Sequence, residues 1–376
     1  MNPFHYGNIV SGEYFYDRKE ELERIVQTLK GGNNLMLYAP RRYGKSSLVA
    51  KALNELRKDG FTTVYIDFMS VYSSETFIKN YTSAIAEQQS MSFEKLVKKM
   101  AGLIQGIVPA ISFDHMGSPS FSFSWVEGHD TEQTLKETID FPEKVSTGDK
   151  RWIIAFDEFQ EITKLNGESF EKILRSCIQH HKNVSYLFLG SRTHVLKDMF
   201  NNKNRAFYNA AMLMNIDTIS DADSLVYLTR RFGKFNMVID EPTANYLIHK
   251  VASIPYYIQF VAAEIWQQLI GGDLGQKTIS IQQVDTAINS ILNIKADYYW
   301  ELINKQTNYR KKILFALSHG VDEVFSKSTA EKYRLGPAST TQKALDTFIE
   351  EGIIERINNK YHFSDPIFML FLQHNL

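Results

Sequence analysis

Short, continuous apolar runs alternate with segments of helical spacing through the first half of the chain. "NLMLY" (34–38), "TTVYIDF" (62–68), the Trp152–Phe156 run in "RWIIAFDEFQEI" and "SYLFLGSR" (185–192) read as buried strands. "SLVAKALNELRKDG" between the first two carries apolar residues at helical spacing and stops at Gly60. Strand, helix, strand is a β-α-β unit with a right-handed crossover, and its repetition predicts an α/β core with a parallel sheet sandwiched by helices. In "PSFSFSW" the period changes to strict alternation, which predicts a hairpin insertion over about 108–128. That insertion is expected to pack on its own domain or to offer its aromatics to a partner.

From about Asp217 the strands are expected to stop. "SDADSLVYLTRRFGKF" opens with Ser220 as a cap, and "TANYLIHKVAS", "PYYIQFVAAEIWQQLIGG" and "SIQQVDTAINSILNIKADYYWELINK" continue with helical spacing. The remainder predicts two or three short helices and a hairpin, "IIERINNKYHFSD", turning at Asn-Asn. The expected division is a core over 1–215, a helical lid over 216–305 and a winged helix over 306–376.

Two strand ends carry chemistry. "APRRYGKSS" follows the first strand and opens the first helix, the context a phosphate-binding loop requires. Backbone N–H groups of Ala39, Pro40, Arg41, Arg42, Tyr43 and Gly44 (proline excepted) would surround the phosphates, and the helix N-terminus adds its positive dipole end. Gly44 permits close backbone approach, Lys45 reaches the β- and γ-phosphates, and the Ser46 hydroxyl binds Mg²⁺. Ser47 supports the helix start. Ala39 stands where G-x-x-x-x-G-K-[ST] begins with glycine; a methyl costs little there unless φ must be positive. The second motif is Asp157-Glu158 at the end of "WIIAF". Asp157 would hold the Mg²⁺ shell and Glu158 would orient and deprotonate an attacking water. Such a pair can also merely cap a helix, but downstream of a phosphate loop it points to nucleotide hydrolysis. Ser191 and Arg192, ending the fourth strand, sit where a side chain could sense the γ-phosphate, or could equally satisfy loop carbonyls.

Composition narrows the class. At 376 residues the chain exceeds one ordinary core, so two or three domains are expected. Forty-two Lys+Arg against 43 Asp+Glu leave no overall pull toward nucleic acid or anionic lipid, so such binding would need a local patch. Residues 309–376, with nine Lys+Arg and eight Asp+Glu, do not supply a strong one. The candidate recognition helix offers Thr340, Thr341, Gln342 and Lys343 and then turns acidic, so protein contact or autoinhibition fits it at least as well as DNA reading. Cys177, without a disulfide partner, suits a reducing interior as a small buried residue. His180-His181 lie on different faces of a helix and form no metal site. With neither a signal-peptide run nor the ~18 apolar residues of a membrane span, a cytoplasmic protein without membrane attachment is expected.

"NPFHYGNIVSGEYFYDRKEELERI", "LYAPRRYGKSSL", "IIAFDEFQEI", "YLFLGSRTHVL", "IPYYIQ" and "YHFSDPIFMLFL" occur in an order that resembles the archaeal-type P-loop ATPases, which are also found in bacteria. Those proteins are related to AAA+ and signal-transduction NTPases, with origin-recognition ATPases as cousins. The resemblance covers nearly the whole chain and implies ATP/ADP and Mg²⁺ as ligands. It places Arg18 beside the adenine base and Pro255 at the start of a nucleotide-sensing lid helix, where Ser253 replaces a common glycine. Relatives often carry an arginine near 205–212; Ala210 and Ala211 fill the nearest positions here, leaving Arg205 as the candidate finger. Arg230 or Arg231 of the lid could reach the phosphates or equally form surface salt bridges. The expected activity is ATP hydrolysis driving a switch that moves lid and winged helix, with a protein partner and an oligomeric state left open. The alternatives are a DNA-binding winged-helix protein with a regulatory nucleotide site and an ADP-locked interaction scaffold.

Overall fold

A computed structural model describes residues 2–10, 12–87, 93–113, 119–146, 151–165, 168–270, 277–357 and 359–375. The chain divides into two compact units: Arg18–Ala39 with Lys45–Asp217, and Met1–Asp17 with Pro40–Gly44 and Thr218–Leu376.

The first of these units contains α1 (Lys19–Lys30), β1 (Leu35–Tyr38), α2 (Lys45–Lys58), β2 (Thr62–Asp67), α3 (Ser74–Ala86), α4 (Phe93–Leu103), β3 (Ile107–Phe113), β4 (Pro119–Trp125), α5 (Thr131–Val145), β5 (Trp152–Asp157), α6 (Glu168–Ile178), β6 (Val184–Gly190), α7 (Thr193–Asn201) and β7 (Met212–Asn215). Five strands form a parallel sheet in the order β2-β5-β6-β1-β7. β5 and β6 are buried along their whole lengths, which is why they read as unbroken apolar runs. Register places Asp67 beside Asp157 and Tyr38 beside Gly190, so the strand ends that carry polar residues share one edge. Ligands of open α/β sheets bind at that carboxyl edge. β7, the fifth strand, escaped the sequence reading because only Met214 of its four residues is buried. β3 and β4 pair antiparallel, and the turn between them falls outside the described residues.

The second unit contains α8 (Asp221–Gly233), β8 (Met237–Ile239), α9 (Glu241–Lys250), α10 (Pro255–Leu269), β9 (Lys277–Ile279), α11 (Ile281–Asn304), α12 (Asn308–Ser318), α13 (Lys327–Tyr333), α14 (Ala338–Glu350), β10 (Ile354–Ile357), β11 (Lys360–Phe363) and α15 (Pro366–Asn375). Ser220 caps α8 by accepting from the Asp223 N–H, and Asp240 caps α9 through Thr243. The expectation that strands stop at Asp217 is corrected here, because β8 and β9 form a parallel pair. Each has three residues, too few for a period-2 signal, and their pairing spans α9 and α10. β10 and β11 form the expected antiparallel wing, with Asn358 of its turn outside the described residues. α15 adds an apolar helix after the wing, buried through Pro366, Ile367, Phe368, Leu370, Phe371 and Leu372. Among the described residues, no helix is long and apolar enough to cross a membrane.

Candidate active site

β1 ends at Tyr38, and the chain runs through Ala39–Gly44 directly into α2 at Lys45. The left-handed positions of the loop are Arg42 (φ 75) and Gly44 (φ 84). Ala39 is fully buried and has no positive φ, so its Cβ meets no backbone penalty. At Gly44 a Cβ would meet no atom within 4 Å, so that side of the loop is open for a ligand.

Lys45, only 7% exposed, points its Nζ at Asp157 Oδ1 (3.7 Å) and Glu158 Oε1 (3.9 Å). Asp157 Oδ1 also accepts the Glu158 N–H at 2.8 Å, while Tyr65 donates its hydroxyl to Oδ2. Glu158 leaves the strand with φ 47, a left-handed conformation unusual for a side chain with Cβ. Its Oε2 accepts from Ser191 Oγ at 2.8 Å and from Gln160 Nε2. Ser47 is buried and Ser46 partly exposed on the first turn of α2. Arg192 is exposed at the start of α7.

Three side chains here were not found from sequence: Tyr65, Asp67 and Gln160. Asp67 is the neighbour of Asp157 in the sheet; burial and the nearby Asp157 and Glu158 push its carboxyl above its ordinary range, against its own Met69 N–H bond and Lys45. Burial and Asp157 likewise push the Tyr65 phenol up, so it stays protonated as a donor. Alternation along "TVYID" was the available signal, since Tyr65 and Asp67 share a face of β2. The donor set fits the ligands the motifs imply. Lys45 is a buried cation of the kind that pairs with phosphate oxygens, and the Ser46 hydroxyl and Asp157 carboxylate are hard oxygens of the kind Mg²⁺ takes.

Other sequence candidates are committed elsewhere. Arg18 is 4% exposed, paired with Glu21 at 2.8 Å and donating to the Asp217 carbonyl. Arg205 pairs with the buried Glu171 (2.6 Å) and with Asp198 (3.4 Å). Arg231 is buried, donating to the Pro3 carbonyl and lying 2.9 Å from Glu13, the salt-bridge alternative of the two readings. Arg230 is exposed. His181 is bonded to Asp140 (2.9 Å) and Tyr186 (2.7 Å).

Within the second unit, loop residue Arg42 lies over the rings of Tyr256 and Tyr257 (5.1 and 5.0 Å) and 3.3 Å from Asp365. Its carbonyl accepts the Tyr256 N–H at 3.4 Å in the first turn of α10, which Pro255 opens. Asp365 also accepts from Lys295 (3.2 Å) and Tyr299 (3.0 Å), and its other oxygen caps α15 through Ile367 and Phe368. On α14, Thr341 is buried against Tyr309 (2.6 Å) and Gln342 donates to Asp346, which leaves Thr340 and Lys343 as the exposed pair of the expected reading residues.

Residues 15–261 match the family described as an ATPase domain predominantly from Archaea. The chain belongs to that family. Residues 297–374 match a probable winged helix domain. The Walker-type ATPase of Pyrococcus abyssi superposes with a TM-score of 0.65 at 20% identity, covering 96% of this chain and 97% of that one. The Aeropyrum pernix ORC2 protein, solved as ADPNP-ADP complexes, gives 0.56 at 13% identity, covering 99% and 98%. These likenesses concern the fold. An uncharacterized WD repeat-containing protein of Synechocystis sp. (strain ATCC 27184 / PCC 6803 / Kazusa) is 21% identical over 81% of this chain, and the chain spans 24% of that protein's length. This archaeal-type ATPase fold, with its parallel sheet and C-terminal winged helix, is the one expected from the motifs.

Proposed function

We propose that the protein binds ATP with Mg²⁺ at Ala39–Ser47 and hydrolyses it, using loop occupancy to bias its lid helix and winged helix. The observation that carries the reading is Lys45 set 3.7 and 3.9 Å from the two acids that end β5. In this reading the loop N–H groups and Lys45 hold the phosphates. Ser46 and Asp157 hold the cation, whose charge neutralises the phosphate oxygens. Glu158 accepts the proton of the attacking water while Ser191 holds its other carboxylate oxygen. Arg192, exposed beyond β6, is available to the γ-phosphate. Catalysis is positioning and charge stabilisation.

The switch is supported by Arg42. Drawing its guanidinium toward a phosphate would take it from Asp365 and from the Tyr256 and Tyr257 rings, and so would loosen the first turns of α10 and α15. Arg18 and Pro255 remain proposed base-side contacts, and a protein partner is the expected recipient of the change.

Mg²⁺-dependent ATP turnover, measured across protein concentrations with Glu158→Gln alongside, tests the reading. Turnover lost in the variant supports it, and specific activity rising with concentration would add a neighbouring subunit to the site. Turnover that survives Glu158→Gln unchanged would sink it. Hydrogen exchange at 255–258 and 365–368, with and without nucleotide, tests the switch; identical protection in both would remove it.

A further inference from the structure

Gln160 follows the acidic pair by two residues and is 2% exposed. Its Nε2 donates to Glu158 Oε2, the oxygen that also accepts from Ser191 Oγ at 2.8 Å. Among the described residues its Oε1 is buried without a hydrogen-bond partner, and it lies over Gly190, where an added Cβ would sit 2.1 Å away. Burying an amide oxygen unpaired is costly, so the orientation is sustained by the charge-assisted bond on the nitrogen side. The opposite carboxylate oxygen, Oε1 of Glu158, faces Lys45 at 3.9 Å, the side where phosphates would lie.

We infer that Gln160 is a positioning residue for Glu158: with Ser191 it holds Oε2 and so fixes the direction of the carboxylate that takes the proton, and Gly190 supplies the space that this amide needs. The inference rests on the proposed hydrolysis. Two donors on one carboxylate oxygen restrict the rotation of the group and so set where the other oxygen points.

The experiment is steady-state ATP hydrolysis for the full chain, Gln160→Met and Glu158→Gln, with thermal stability and binding of a fluorescent ADP measured on each. Met keeps the volume and removes the donor. For Gln160→Met the expected result is a kcat about tenfold lower with KM and ADP affinity within about twofold. Gly190→Ala, which crowds the amide and the Leu196 side chain without altering the amide's chemistry, should lower kcat in the same way. A merely structural Gln160 would lower stability or ADP affinity together with kcat, and that result overturns the inference. So does unchanged kcat in Gln160→Met alongside turnover lost in Glu158→Gln. Wild-type turnover that Glu158→Gln retains would instead remove the hydrolysis reading, and the inference with it.

Discussion

In the proposed reaction Lys45 and Glu158 have different parts, and their variants should separate. Lys45→Ala is expected to abolish nucleotide binding, because it removes the buried cation beside Asp157 and Glu158. Glu158→Gln should retain binding and lose about 10²–10⁴-fold in kcat, the usual worth of a positioned base. Isothermal titration with ADP and a phosphate-release assay distinguish the two; equal loss of binding in both would refute the division. Ala39→Gly should leave kcat/KM within about twofold, since its φ already suits any residue. Gly44→Ala, at φ 84, should weaken nucleotide binding through a backbone cost of about 1–2 kcal/mol. Local pattern made Lys45, Ser46, Asp157 and Glu158 legible, because loop and strand end lie within a few residues of the signals that identify them. Tyr65, Asp67 and Gln160 acquire their roles only when β2, β5 and β6 align.

At the scale of elements, the wing carries a titratable strain. Burial pushes the Glu355 carboxyl on β10 up to about 7, with Ser364 and the loop residue Arg41 opposing. The folded form therefore holds its proton to higher pH than the unfolded chain. The associated stability is complete below about pH 4.5 and is lost as pH rises toward 7, by about 3 kcal/mol. Denaturant midpoints between pH 5 and 8 should show this fall, and Glu355→Gln should flatten it; an unchanged slope in the variant would assign the dependence to other groups. A second element-level contact joins α6 to the turn after α7, where Arg205 meets the buried Glu171. Arg205→Ala strands that carboxylate and should destabilise the sheet unit by about 2–4 kcal/mol, read from its unfolding midpoint. Elements of strong period were visible in advance, whereas β7, β8 and β9 were not. A four-residue edge strand with one buried side chain and two three-residue strands carry too little pattern to compete with the helices around them.

For the whole molecule, nucleotide linkage is the decisive observable. With ADP and Mg²⁺ at about 100 times Kd, the unit that binds should gain about 2.7 kcal/mol, and Lys45→Ala should show no such gain. A thermal shift of equal size in both proteins would place the nucleotide elsewhere. Continuous apolar runs and helical spacing were enough to imply an α/β core, a helical segment and a wing, since those features depend on the burial of near neighbours along the chain. The phosphate loop and the acidic pair were equally evident, being contiguous motifs. Tertiary structure alone decided which oxygen of Glu158 is held, that Asp365 faces Arg42, and that Arg18, Arg205 and Arg231 are tied to partners distant along the chain or buried beside them. The reason is physical: a charge's role depends on what pairs with it once water is excluded, and those partners come from strand order and helix packing rather than from the residues beside it.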